Sequence, residues 1–190
     1  MRIANGDSVN LSAITMSPHV GTHADAPLHV RDGGRPSDAI PTAPFIGIAH
    51  VVDVRDLTGA ISLETLRARL VPAESPPRTD PVHALTRLLL RTGASVASAR
   101  FPDAWPWLAP DAIAALVARG LVLLGTDAPS VDDRYSKTLV CHHACFDRGA
   151  WVLENVDLRD VAPGRYEMRG LPMAVQGIDA APVRVLLRTL

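Results

Sequence analysis

Residues His19 to His29 read HVGTHADAPLH, a segment that places His19, His23, Asp25 and His29 all at odd positions. In an extended chain successive side chains point to opposite faces, so positions 19, 21, 23, 25, 27 and 29 share one face. The opposite face then carries Val20, Thr22, Ala24, Ala26 and Leu28, which are small and mostly apolar. A helix would pair His19 with His23 but turn Asp25 away, and Gly21 and Pro27 disfavour a regular helix. An extended or irregular segment therefore converges the polar groups best. For one histidine a satisfied polar loop is the ordinary reading. Three imidazoles and a carboxylate in one short segment instead suit a borderline divalent cation such as zinc, and three protein ligands with an open position mark a catalytic rather than a structural site.

Outward from that segment, strands and helices alternate. FIGIAHVVDV (Phe45–Val54) is rich in β-branched residues and reads as one strand, or two meeting near His50. In SLETLRARL, Ser62 can cap a helix that sets Leu63, Leu66 and Leu70 on one face. VPAESPPRTDP, from Val71 to Pro81, holds four prolines and must be loop. TRLLLRT (Thr86–Thr92) is a short buried strand. PDAIAALVARG is a helix opened by Pro110 and Asp111 and closed by Gly120, and LVLLGTDAP is the strand after it. AWVLENV, GRYEMRGLPM and PVRVLLRTL are strand-like and joined by turns. The pattern predicts an α/β or α+β domain with more strand than helix.

The 190 residues suffice for one well-buried core, and 47% hydrophobic with 21% charged residues is a globular balance. A net charge of −1 without a basic block gives no footprint for nucleic acid. No apolar run approaches the roughly 18–20 residues that span a bilayer. The opening MRIANGDSVN lacks the basic patch and apolar core of a signal peptide, so a cytoplasmic location is expected. Cys141 and Cys145 are too few for a disulfide framework. There is no Gly-x-Ser-x-Gly elbow, and neither cysteine has the surroundings of a protease nucleophile.

HVGTHADAPLH resembles the His-x-Gly-Thr-His-x-Asp-x-Pro-x-His signature of the cyclase family of metal-dependent hydrolases at every fixed position. GTDAPSVD, SKTLVCHHACFDRGAWVLENV and the ending PGRYEMRGLPMAVQGIDAAPVRVLLR are similar, within that family, to the bacterial kynurenine formamidases. The likeness runs from about Asn10 to the end. It implies a swivelling β/β/α-type fold and a homodimer or larger symmetric assembly. It implies two divalent ions per subunit, zinc with manganese as the other candidate, held by His19, His23, Asp25, His142 and Glu154, with Asp25 bridging. His29 is implied to be the acid/base. The expected reaction is hydrolysis of N-formyl-L-kynurenine, a small-molecule substrate, to formate and L-kynurenine. The alternatives are a hydrolase of another amide or of a cyclic amide such as isatin, and a metal-binding homologue without activity. The resemblance further implies a Trp-Pro-Gly-Asp-like stretch ahead of the signature. The opening MRIANGDSVNLSAITMSPH does not show it, so the single domain over residues 1–190 is expected to lack the family's N-terminal segment.

The residues themselves bear on these roles. Glu154 stands in an otherwise apolar strand, where an unpaired carboxylate is costly to bury. A metal partner or an exposed edge position removes the difficulty. His142 sits beside Cys141 and Cys145, which could form a sulfur-rich zinc site. A lone Cys-x-x-x-Cys is a weak signal, and both thiols read as structural. His29 is either the proton carrier that hydrolysis needs at the leaving nitrogen or a fourth ligand. Phe101, Trp105 and Trp107, in the loop RFPDAWPWL, either wall the substrate ring or pin the loop to the body.

Overall fold

The apolar runs of the sequence become strands, and seven of them close into a barrel. The computed structural model describes residues 1–70 and 85–190, so the expected loop Val71–Pro81 lies outside the described residues. The elements in chain order are β1 (His23–Asp25), β2 (Ile46–Asp53), β3 (Ala60–Ile61), α1 (Leu63–Arg69), β4 (Arg87–Arg91), β5 (Trp107–Leu108) and α2 (Pro110–Val117). Then follow β6 (Leu123–Thr126), α3 (Val140–Phe146), β7 (Trp151–Glu154), β8 (Gly164–Pro172) and β9 (Ala180–Thr189). The barrel order is β1-β7-β6-β4-β2-β8-β9, closed because β1 pairs with both β7 and β9. The described residues thus form an α/β domain with more strand than helix.

The ladder β2-β4-β6-β7 is parallel, and its inner strands are apolar nearly throughout. Leu88, Leu89 and Leu90 of β4, Leu123 and Leu124 of β6, and Val152 and Leu153 of β7 are all buried. Parallel strands covered on both faces need such runs. β8 and β9 are antiparallel neighbours in which buried and solvent-facing residues intermix. FIGIAHVVDV forms one strand, β2, that runs through His50 without a break.

The helices begin where capping chemistry puts them. The Ser62 side chain accepts a hydrogen bond from the Thr65 backbone N–H and starts α1, which buries Leu66, with the buried Leu70 just past its end. Pro110 opens α2, which buries Ile113 and Leu116. The third helix, α3, has no counterpart in the sequence reading and carries His142. Among the described residues no helix is long and apolar enough to cross a membrane. RFPDAWPWL is only partly loop, since Trp107 and Leu108 form β5 and pair in parallel with Ala60 and Ile61 of β3.

Candidate active site

The site lies where β1 meets the carboxyl ends of the parallel strands β6 and β7, the usual place for sites in parallel α/β folds. His23 and Asp25 share one side of β1 and Ala24 faces the other, but the strand is only three residues long. A 3-10 turn over Pro27–His29 follows it. The signature is thus extended at His23 and Asp25 and irregular around them, within the extended or irregular segment expected, and His29 reaches the cluster through the turn. Proline has the fixed φ that the first residue of such a turn needs, and Pro27 sits there.

Register does the next step. His23 lies opposite Glu154 of β7, and His23 Nε2 stands 3.5 Å from Glu154 Oε2. Asp25 is fully buried and sits at the centre. Its Oδ1 is 3.2 Å from His19 Nδ1 and 3.3 Å from His23 Nε2, and its Oδ2 is 3.0 Å from His142 Nε2. His142 Nε2 also lies 3.3 Å from Glu154 Oε1. The backbone N–H of Val131 donates to Glu154 Oε1 at 2.8 Å and holds that carboxylate in place.

Two aspartates that the sequence reading did not single out hold the histidines. Asp132 accepts the backbone N–H groups of Cys141 and His142, at 2.8 and 3.1 Å, and its Oδ2 lies 2.6 Å from His142 Nδ1. That contact turns His142 Nε2 towards Asp25. Asp179 places Oδ2 2.9 Å from His19 Nε2 and 3.1 Å from His29 Nδ1, tying two rings whose centroids are 4.3 Å apart. Both acids fall in segments quoted above, GTDAPSVD and PGRYEMRGLPMAVQGIDAAPVRVLLR. Asp179 lies 160 residues from His19, which leaves no local spacing to find it by.

The electrostatics of the bare side chains call for positive charge. Burial alone would raise Asp25, yet His142, His19 and His23 hold it well below the usual carboxylate range. Burial would lower His23, but Asp25 and Glu154 overcome it and raise the imidazole to about 10. His23 Nε2 and Asp25 Oδ1 are buried without a hydrogen-bond partner although they face each other. Ligand atoms of His19, His23 and Asp25 lie within 4.8 Å of one another, as do those of Asp25, His29 and His142. Among the described residues no such grouping includes a cysteine. Cys141 and Cys145 are buried free thiols, and Cys141 Sγ donates to the Leu108 carbonyl.

A pocket of about 500 Å³ opens above the cluster. Phe101 and Trp105 line it with their rings edge to face, centroids 6.1 Å apart, and the Trp105 indole N–H donates to the Asp132 carbonyl at 2.8 Å. Trp107 does not line the pocket. It lies in β5 and packs partly buried against the core.

The sequence model described as "Putative cyclase" matches residues 3–133, which include the whole signature. The chain belongs to the cyclase family. Among curated cyclase-family relatives, the kynurenine formamidase of Salinibacter ruber is 43% identical over 95% of this chain and 81% of its own length. That of Bordetella petrii is 42% identical over 96% of this chain and 82% of its own length. A solved structure from Bacillus stearothermophilus, described as a "predicted metal-dependent hydrolase", superposes with a TM-score of 0.71. It is 30% identical and covers 95% of this chain and 82% of its own. Within this cyclase-family chain the structure thus brings His19, His23, Asp25, His29, His142 and Glu154 together from β1, its flanking turns, α3 and β7.

Proposed function

We propose that this protein is a metal-dependent amide hydrolase that cleaves the formamide of N-formyl-L-kynurenine to formate and L-kynurenine. The observation that carries the reading is the convergence of His19, His23, Asp25, His142 and Glu154, with His29 beside them, beneath an aromatic-walled pocket. The kinship with two proteins named kynurenine formamidase supports the choice of substrate.

The donor set fits divalent ions. A buried ring nitrogen and a buried carboxylate oxygen stand 3.3 Å apart without a hydrogen bond, and such orphaned polar atoms are costly unless a further partner joins them. Imidazole and carboxylate donors suit zinc and also manganese. His19, His23 and Asp25 would hold one ion, and Asp25, His142 and Glu154 a second, with Asp25 shared. When bound, such an ion acts as a Lewis acid and lowers the pKa of a water it holds from about 15.7 towards about 7. Asp132 and Asp179 fix the ring orientations of His142 and His19, as outer carboxylates do for ligating histidines.

His29 carries the proton. Asp179 engages its Nδ1, which leaves Nε2 to take a proton from the attacking water and return it to the arylamine nitrogen as the C–N bond breaks. Phe101 and Trp105 hold the substrate ring and keep solvent from one side of it. A homodimer or larger assembly is part of this proposal on the family resemblance, symmetric closure being the common arrangement of soluble oligomers.

The test is turnover of N-formyl-L-kynurenine before and after chelation, with metal content measured on the same samples. Activity should vanish on chelation and return with zinc or manganese. Undiminished turnover by metal-free protein would refute the reading.

A further inference from the structure

The pocket extends past the reacting groups to a wall that carries fixed charge. Among its described lining residues Arg134 is the one arginine or lysine, set in the segment between β6 and α3. Its guanidinium lies 5.3 Å from the Phe101 ring centroid and 5.6 Å from that of Tyr135. Nη1 donates to the Pro102 carbonyl and stands 3.3 Å from Asp103 Oδ1. Asp103 is 80% exposed, so that pair is a screened rim contact that neutralises little. A guanidinium has five N–H donors, and Nε and Nη2 of Arg134 have no partner among the described residues.

Two features make this arginine more than a brace for the Phe101 loop. Contacts with the Phe101 and Tyr135 rings place the guanidinium at the pocket wall, where its planar fork suits a planar anion. The other cations of the pocket are committed elsewhere, because His19, His23, His29 and His142 each face Asp25, Asp179 or Glu154. The neighbouring Asp133 also lines the pocket, with Oδ1 accepting the Tyr135 backbone N–H. One wall therefore offers a guanidinium with open donors next to a carboxylate.

We propose that Arg134 recognises the α-carboxylate of an amino-acid substrate whose aryl amide lies against Phe101 and Trp105, with Asp133 facing the α-ammonium. This rests on the N-formyl-L-kynurenine reading above and adds to it the residues that read the amino-acid head of that substrate.

Calorimetry on the metal-loaded protein tests the assignment without turnover. The probes are L-kynurenine and 2-aminoacetophenone, which keeps the ring and loses the amino-acid head. The wild type should bind L-kynurenine at least about tenfold more tightly. Arg134→Gln should weaken L-kynurenine by about tenfold to a hundredfold and leave 2-aminoacetophenone within about twofold, as expected for one lost charged hydrogen bond. Arg134→Lys should recover part of the loss, and in turnover of N-formyl-L-kynurenine the defect should fall on KM more than on kcat. A wild type without preference for the carboxylate overturns the proposal. So does a Gln variant that loses both probes equally, because Arg134 then only braces the loop. A wild type that shows the preference but hydrolyses no formyl substrate supports the Arg134 assignment and sinks the formamidase reading alone.

Discussion

Gly34 sets the position of His29, and adding one methyl group there should separate catalysis from metal binding. A β-carbon at Gly34 would stand 2.6 Å from the carbonyl carbon and oxygen of Pro27 and 2.7 Å from the Leu28 nitrogen. These are backbone atoms and cannot rotate away. Ordinary contact begins at 3.4 Å, so Gly34→Ala must open the gap by roughly 0.8 Å before close-packed atoms cease to clash. The loop is closed by hydrogen bonds from Leu28 N to Arg35 O and from Gly34 N to Arg31 O, at 3.1 and 3.0 Å. The short turn Pro27–His29 is the part that yields. If the displacement passes to His29, its 3.1 Å contact with Asp179 lengthens to about 3.9 Å, beyond hydrogen-bond range. Overpacking of this kind costs about 1–3 kcal/mol, and melting falls by about 2–4 °C per kcal/mol for a chain of this size. The variant should therefore fold. Misplacing a catalytic group by about 1 Å can cost on the order of a hundredfold in rate. His19, His23 and Asp25 precede the turn, so metal content should stay at the wild-type level. Elemental analysis, a thermal melt and formylkynurenine turnover on one preparation decide the matter. A folded, metal-replete Gly34→Ala enzyme with turnover within about threefold of wild type would refute the reasoning, since a misplaced proton carrier predicts far more.

His29→Ala should keep its metal and lose turnover by about two to four orders of magnitude, whereas His23→Ala should lose both, as elemental analysis beside kcat will show. Cys141 and Cys145 have no exposed surface, so a thiol reagent should leave the folded protein unlabelled at pH 8 and modify both only on unfolding. Arg55, with Arg91 behind it, holds the Asp53 carboxyl below its usual range. The stability this contributes is complete above the unfolded value of about 3.9 and is lost as pH falls through the lower folded value. Asp53→Asn should thus be less stable than wild type at pH 7, by at most about 1 kcal/mol, and converge with it in acid unfolding curves.

Much of the molecule is legible one segment at a time. Ser62 and Pro110 start their helices through contacts within a turn, and the leucine run of β4 is a buried strand wherever it is placed. α3 escaped the sequence reading because VCHHACF is short, buried along most of its length and lacks an amphipathic stripe. Its first N–H groups are satisfied by Asp132, nine residues upstream, rather than by an adjacent capping residue. Trp107 looked like a partner of Phe101 and Trp105, but pairing with β3 draws it to the core.

The signature by itself determined that His19, His23, Asp25 and His29 would be close, because no more than a strand and a turn separates them. It also determined the chemistry of the donors, since residue type is independent of fold. Tertiary structure alone decided what those donors meet. β1 closes the barrel by pairing with β7 on one side and β9 on the other, which sets Glu154 opposite His23 and brings Asp179, just ahead of β9, to His19 and His29. A buried carboxylate is unfavourable until its partners arrive, and one partner of Asp25, His142 of α3, stands 117 residues away in the chain. Local sequence preferences act over a few residues, whereas the compensation of buried charge is settled only when the barrel shuts.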